Sequence, residues 1–136
     1  MSFTEQEAEF IRSRPLGRMA TVSTDGQPDV VPVGVEFDGE QFWVGVSSPA
    51  VRTRKLRNIA AGNVKVSIVF DDLPSSDPFV ARGIRVDGVA DQPVRRTGMI
   101  GPGTYVRITP VTSWSWNLAG EPVGDDWYPA TRTDHR

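Results

Sequence analysis

The residues of this sequence best suited to chemistry are four cations packed into six positions. These are Arg52, Arg54, Lys55 and Arg57. Their run predicts a short helix, because it closes at Gly62 and leads directly into an apolar strand. Residues three apart share one face of a helix, so positions 52 and 55 form one pair and positions 54 and 57 another. One pair can therefore point towards a bound group while the other meets solvent.

Hydroxyl groups lie beside this basic run, at the end of the preceding strand and within the run itself. They are Ser47, Ser48 and Thr53. Arginine offers a planar fork that matches phosphate oxygens, and lysine supplies a mobile point charge. Arg52 and Lys55 beside these hydroxyls therefore predict a phosphate cradle. On charge alone, a solvated helix face is the simpler interpretation.

Two further features could lie against a flat ligand. Side chains alternate between the faces of a strand, so Pro32 and Gly34 share a face without bulk, opposite the face that carries Val33. This bare face predicts either a bend at a barrel edge or backbone left open for a ring system. Trp114 and Trp116 also project to one face of their strand, where they fill a core or dimer interface or stack on a heterocycle.

Several classes of site have no support in the sequence. There is no cysteine, and the one histidine, His135, lies next to the C-terminus, where a frayed, exposed tail is expected. Thiolate chemistry, a metal site and a histidine-based catalytic triad are therefore not predicted. Neither type of glycine-rich phosphate loop is present, and the acidic pairs Asp71-Asp72 and Asp125-Asp126 are typical of solvated turns. With no visible acid–base pair, the catalytic residues stay unknown, and a bound cofactor would carry any chemistry.

The composition sets the class of protein. A length of 136 residues suffices for one domain with a core of its own. The net charge of −2 and the absence of a broadly basic surface argue against nucleic-acid or anionic-membrane partners. No apolar run is long enough to cross a bilayer, and residues 1–7 are polar and acidic rather than signal-like. A soluble, cytoplasmic protein that acts on a small molecule is the expectation.

The order of elements predicts a mostly β fold. A helix is expected over residues 4–13, and strands are expected at 18–23, 28–37, 41–46, 64–70, 79–90 and 104–116. Residues 71–78 are expected to form a loop, and 91–103 a polar connection with a helical turn at 94–97. Within a single domain over 1–136, residues 119–136 are expected to be an irregular tail. Six or so antiparallel strands with short helices favour a small barrel, which leaves no open sheet edge.

The motifs, taken in order, resemble a known family. Arg18-Met-Ala-Thr-Val-Ser, Pro28-Asp-Val-Val-Pro-Val, and Arg52-Thr-Arg-Lys55-Leu-Arg-Asn58 are similar to the pyridoxamine 5'-phosphate oxidase-like split β-barrel (FMN-binding-like) superfamily. The ending from Arg107-Ile-Thr-Pro110 to Trp114-Ser-Trp116 resembles its branch of F420-dependent flavin/deazaflavin oxidoreductases. The likeness runs from about residue 10 to residue 118. The C-terminal segment associated with pyridoxal-phosphate formation is not recognisable, which argues against vitamin B6 metabolism.

The resemblance implies a homodimer with cofactor sites at the subunit interface. It assigns Arg52, Arg54 and Lys55, with Thr53 among them, to the cofactor phosphate, and Ser47 and Ser48 to the segment before it. It assigns Pro32, Val33 and Gly34 to the strand along the ring system, and Trp114 and Trp116 to the C-terminal aromatic segment. The implied activity is hydride transfer from reduced F420 to a small unsaturated substrate, with Arg57 a candidate for the anionic glutamyl tail. An FMN-dependent oxidase or reductase and a non-catalytic flavin or deazaflavin carrier are the alternatives.

Overall fold

A computed structural model describes residues 2–48 and 51–135, without the side chains of Ser47, Ser48, Val51 and Arg52. The two helices are α1 (Glu5–Arg12) and α2 (Arg54–Ala60). The strands are β1 (Leu16–Val22), β2 (Pro28–Phe37), β3 (Phe42–Ser48), β4 (Val51–Arg52), β5 (Lys65–Ser76), β6 (Phe79–Ala90), β7 (Val94–Gly98), β8 (Gly101–Trp116) and β9 (Ala130–Asp134). No helix in the described part of the chain is long and apolar enough to cross a membrane.

Six of the strands close into an antiparallel barrel. Neighbouring strands follow the order β3-β2-β1-β5-β6-β8, and β8 pairs back with β3 to complete the ring. The predicted mostly β split barrel is therefore confirmed. Two tight turns start the meander, with Gly26 at φ 88° and Gly39 at φ 105°, a region of backbone conformation that glycine adopts without a Cβ penalty.

The barrel is filled by the inward half of each alternating strand. Val33 and Val35 of β2 are buried, as the alternation predicts, and the buried rings of Phe42 and Phe70 stack with their centroids 5.9 Å apart. Burying a large apolar side chain fully contributes roughly 1.5–3 kcal/mol. The inward residues therefore fix the register, and every outward residue is placed by default on the opposite face of the sheet.

Helix α1 begins where the sequence predicts and adds to the core. Thr4 and Glu7 form a capping box, in which each residue's backbone N–H donates to the other's side-chain oxygen. Phe10 and Ile11 are buried against the barrel interior. The helix therefore closes over apolar strands instead of extending into solvent.

The loop predicted at 71–78 is wrong for most of its length, because β5 runs to Ser76 and pairs with β6, with an irregularity between Asp72 and Ser75. Three arginines stabilise this extension. Arg18 forms an ion pair with Asp71, while Arg14 and Arg82 both pair with Asp72. These interactions hold the pKa of Asp72 below its usual value, with the hydrogen bond from Arg82 the largest cause. The aspartates predicted to lie in a solvated turn are thus partners within a sheet.

Three further expectations are wrong. Residues 94–98 form strand β7 instead of a helical turn, because they pair with residues 101–105 across a tight hairpin. Residues 130–134, predicted within an irregular tail, form β9 against β8. His135 after β9 is not frayed, because its ring lies 4.2 Å from that of Phe3 and it hydrogen-bonds Ser2 and Ser113. The end of the described chain is thus fastened to its beginning.

Candidate functional site

Helix α2 carries the basic run and is fixed to the barrel by its apolar face. Leu56 and Ile59 are buried, and the Asn58 amide donates a 2.9 Å hydrogen bond to the Thr21 hydroxyl of β1. Arg54 and Arg57 lie on the exposed side, whereas Lys55 is half-buried. The helix thereby holds its cations in place along one edge of the sheet.

Thr53 caps this helix. Its hydroxyl donates to the Val46 carbonyl and accepts from the Leu56 N–H at 3.4 Å, which joins the end of β3 to the first turn of α2. Because both hydrogen-bonding roles of the hydroxyl are used, Thr53 acts mainly by positioning Arg54 and Lys55. The sequence analysis assigns this hydroxyl to the phosphate, although threonine just before a helix is also a local signal for a cap.

Lys55 is the cation with the most unusual surroundings. Burial lowers its pKa, and the nearby Asp29 carboxylate partly opposes that effect. Asp29 is also the partner of Arg54, with 3.8 Å between Arg54 Nη1 and its Oδ1. Within the described residues, Lys55 makes no hydrogen bond or ion pair of its own. A half-buried ammonium group in this state gains from a bound anion, because the anion replaces the hydration that burial has removed.

Asp29 is the residue of this site that sequence reasoning missed. It lies on β2 opposite Thr21, and its side chain is 14 % exposed. The sequence predicts it only as one residue of the strand over 28–37. The arrival of α2 above β1 and β2, a contact between distant parts of the chain, is what brings it to Arg54 and Lys55.

Backbone pairing between β3 and β4 brings Ser47, Ser48 and Arg52 of the predicted cradle close together. Strand β4 turns back on the end of β3, with Ser47 opposite Arg52 and Ser48 opposite Val51. The side chains of Ser47, Ser48 and Arg52 lie outside the described residues, so their roles at the phosphate stay predictions. The pairing does bring these three positions beside the N-cap of α2.

The bare face of β2 is partly covered by the β7–β8 hairpin. Val33 points into the core, so only its backbone is open to the outside, and Pro32 is exposed. A Cβ at Gly34 would lie 3.1 Å from the methyl group of Met99, at the tip of the β7–β8 hairpin. The absence of bulk at Gly34 therefore lets this hairpin lie close to the sheet.

Trp114 and Trp116 lie on the outer face of the barrel, since Ser113 and Ser115 take the buried positions between them. The core-filling interpretation of these rings is therefore wrong. The Arg85 guanidinium lies 4.0 Å from the centroid of Trp114, an arrangement that favours a cation–π contact. An interface or a bound ring remains as the partner for the rest of this aromatic surface.

The outer face of the sheet is apolar over several strands. Leu16 and Val22 of β1 and Val30 of β2 are exposed, and the register places Ala20 beside Val30 on one side and Ser67 on the other. A groove of about 410 Å³ crosses this face. It is lined by Ala20, Val22, Lys65, Val66, Ser67, Asp87, Gly88, Val89 and Val111. Such a surface fits a flat organic molecule or another protein.

Among the described residues, no group of three or more acidic, histidine or cysteine side chains could hold a metal ion. Asp71 and Asp72 are engaged by arginines, as described above. The cationic run lies against Thr21 of β1 and Asp29 of β2, on strands that also carry exposed apolar residues, which suits an organic anion with a flat ring.

The closed six-stranded barrel with a basic helix along its edge is the architecture of a split-barrel protein. Residues 3–96 match the family model described as pyridoxamine 5'-phosphate oxidase. The chain belongs to this family. The matched range runs from α1 through β7 and includes the whole basic run.

The chain is similar to three known proteins. It is 40% identical over 91 residues to the 5a,11a-dehydrotetracycline/5a,11a-dehydrooxytetracycline reductase of Streptomyces rimosus, a match over 66% of this chain and 63% of that protein. The barrel also resembles an F420 reductase, with a TM-score of 0.62, 24% identity, and 82% of this chain and 98% of the other covered. A conserved hypothetical protein of Mycobacterium tuberculosis gives a TM-score of 0.65 and 24% identity over 85% and 86% of the two chains. These structural likenesses establish the fold.

Proposed function

We propose that this protein is an F420-dependent oxidoreductase that transfers a hydride from the reduced deazaflavin to a small unsaturated substrate. The observation that carries the proposal is the half-buried Lys55, which has Arg54 beside it and no hydrogen bond of its own within the described residues. A cofactor with a phosphodiester and an acidic tail would supply the missing anion. Arg57, on the exposed side of the same helix, is the candidate contact for the tail.

The donor set fits such a cofactor. Lys55 and Arg54 would hold the phosphodiester, with Asp29 keeping the two cations from repelling each other before it binds. Arg52, Ser47 and Ser48 join them on the strength of the family resemblance. The exposed strand around Pro32 leaves room beside the sheet for a flat ring system, with Met99 over Gly34 at its edge.

The ring system, when reduced, supplies the hydride. The protein's contribution is to hold the substrate against the ring, exclude water, and stabilise charge that develops on the substrate. The outer face provides the apolar surface for this, and it offers no positioned acid–base pair in the described residues. Catalysis by orientation fits that absence better than catalysis by a nucleophile.

The substrate class follows from the same surface and from the relative in Streptomyces rimosus. That protein is named as a reductase of dehydrotetracyclines, compounds with an extended fused-ring system. The exposed apolar side chains on the outer face, Leu16, Val30 and Met99 among them, suit a substrate of related chemistry, such as an enone or quinone. We therefore propose an unsaturated cyclic substrate.

The protein is proposed to work as a homodimer with its cofactor sites at the interface. Leu16, Val22 and Val30 leave apolar area exposed on one face of the sheet, which a second copy would remove from water. The outward Trp114 would then lie at or near the same interface. A cytoplasmic location stays a prediction from composition.

The main alternative is an FMN-dependent oxidase or reductase. The match to a family model described as pyridoxamine 5'-phosphate oxidase favours it, because the same cations could hold the FMN phosphate. A carrier that binds the cofactor without turnover is a third candidate, consistent with the lack of an acid–base pair.

A turnover assay separates an enzyme from a carrier. Purified protein is mixed with reduced F420 and a panel of enones, quinones and tetrapyrroles, and cofactor oxidation is followed together with product formation. We expect oxidation to depend on the substrate and to yield a reduced product. Tight F420 binding with no turnover across the panel would favour a carrier instead.

A further inference from the structure

We propose that Glu36 is a positioning residue that fixes the tip of the β7–β8 hairpin, and that Met99 and Ile100 at this tip select the substrate. The proposal rests on the proposed function, since it places these residues beside the cofactor ring. It assigns roles to particular residues of a segment that the sequence predicts as a polar connection and as part of the substrate pocket.

The Glu36 carboxylate holds the hairpin at two points. Its Oε1 accepts a 2.7 Å hydrogen bond from the Met99 N–H, and its Oε2 lies 3.6 Å from Arg96 Nη2. Glu36 belongs to β2, whereas both partners belong to the hairpin. One side chain of the barrel thus determines the height of the hairpin above the sheet.

Aromatic rings support Arg96 from below. Its guanidinium carbon lies 4.2 Å from the centroid of Trp43 and 5.6 Å from that of Tyr105. Arg96 Nη1 is buried without a hydrogen-bond partner among the described residues. An unpaired buried N–H group costs free energy, and the contact of Nη2 with Glu36, together with the ring contacts, offsets that cost.

The hairpin fits the sheet because three positions lack a side chain. A Cβ at Gly34 would lie 3.1 Å from Met99, and one at Gly45 would lie 2.9 Å from Ile100. At Gly98, a Cβ would come within 2.5 Å of the Tyr105 ring. The fit is therefore built into both surfaces, which is typical of a fixed wall rather than a loosely attached loop.

The other side of this wall is apolar and open. Ile100 is 72% exposed and Met99 is 48% exposed, although both are large hydrophobic residues. They stand next to Gly34, on the strand where the resemblance places the cofactor ring. An apolar substrate ring that lies on the cofactor would meet them, and burial of this area would favour substrates of matching shape.

Glu36→Ala and Glu36→Gln test the positioning role. The alanine variant removes both acceptors, whereas glutamine keeps one oxygen that can accept from the Met99 N–H. We expect amide hydrogen exchange at Met99 to accelerate in Glu36→Ala and to be slower again in Glu36→Gln. Glu40→Ala, an exposed acidic residue in the β2–β3 turn, is the matched control and should leave exchange unchanged. Unchanged exchange at Met99 in folded Glu36→Ala would overturn the role.

Steady-state kinetics test the selection role. We expect Glu36→Ala to raise the KM for a polycyclic enone about tenfold, the change that corresponds to 1.4 kcal/mol, with F420 affinity within about a factor of two. Ile100→Ala and Met99→Ala should change the preference among substrates of different width. Leu73→Ala, an exposed apolar residue on β5, should not. Equal preferences in wild type and the two tip variants would contradict the assignment.

Failure of the proposed function gives a different pattern. If the wild-type protein neither binds F420 nor oxidises its reduced form, the substrate role of Met99 and Ile100 falls with it. The exchange data still decide whether Glu36 positions the hairpin, because they need no cofactor.

Discussion

Lys55 is the side chain whose surroundings give the strongest support for a bound cofactor. A cation on a helix is usually solvated, and the sequence alone favours that interpretation. The structure half-buries this one and, among the described residues, sets the Asp29 carboxylate near it as the opposing charge. Asp29 also faces Arg54, so it cannot fully neutralise both cations. The site therefore keeps a local positive excess in a protein of net charge −2.

Replacement of Lys55 should weaken cofactor binding. Lys55→Ala is expected to cost about 1.5–3 kcal/mol of F420 binding free energy, the range for hydrogen bonds to charged groups. Fluorescence titration measures this, with Arg12→Ala on α1 as a control cation outside the site. Affinity of the wild type should also fall as pH rises towards the pKa of Lys55, which burial holds below 10.5. Equal affinities in both variants and the wild type would remove Lys55 from the site.

The candidate site could be predicted only in part. Its cations follow from residue type and spacing, and the bare face of β2 follows from strand alternation. The roles of Asp29 and Glu36 could not be foreseen, because each depends on a segment that returns from elsewhere in the chain. The capping role of Thr53 had a local signal, since threonine is favoured at helix N-caps.

At the scale of elements, the end of the described chain is more ordered than the sequence suggests. Strand β9 pairs with the last part of β8, and the His135 backbone N–H donates to the Val111 carbonyl. His135 then contacts Phe3 and Ser2 at the start of α1. The His135 ring therefore links the segment before α1 to the end of β9.

Acid should weaken this junction. Burial lowers the pKa of His135 below 6.5, while the Glu7 and Asp134 carboxylates partly oppose the shift. The unfolded chain therefore takes up a proton more readily than the folded one, and stability falls as pH drops through 6.5. Above pH 6.5 His135 adds no pH dependence to the stability, because its ring is neutral in both the folded and the unfolded chain.

His135→Asn tests this dependence. Melting temperatures are compared at about pH 7.5 and about pH 5.5, on either side of the usual histidine pKa. The wild type should lose more stability between these values than the variant does. Equal losses would show that His135 does not control the junction. Acidic groups with lowered pKa, such as Asp72, titrate well below this window and do not confuse the result.

Local signals account for the elements that the sequence predicts well. The Asp-Gly turns, the capping box and the alternation of β2 are each readable within about ten residues. The extension of β5 and the existence of β7 and β9 depend on pairing with β6 and β8. Arg14 and Asp72, for example, are separated by 58 positions, so their ion pair cannot be read from a short window.

At the scale of the whole molecule, the inner face of the barrel forms the core and the outer face carries the candidate site. Its inner face holds the fold with buried aliphatic and aromatic side chains. Its outer face carries the basic helix, the bare strand, the hairpin wall and an apolar groove. A fold arranged this way can change its ligand by outward substitutions that leave the core unaltered.

The most direct test of the cofactor assignment is a parallel titration of the purified protein with F420 and with FMN. Fluorescence reports binding of both, so the two affinities come from one preparation. We expect F420 to bind and to bind more tightly than FMN. Binding of FMN at submillimolar concentration with no binding of F420 would contradict the assignment.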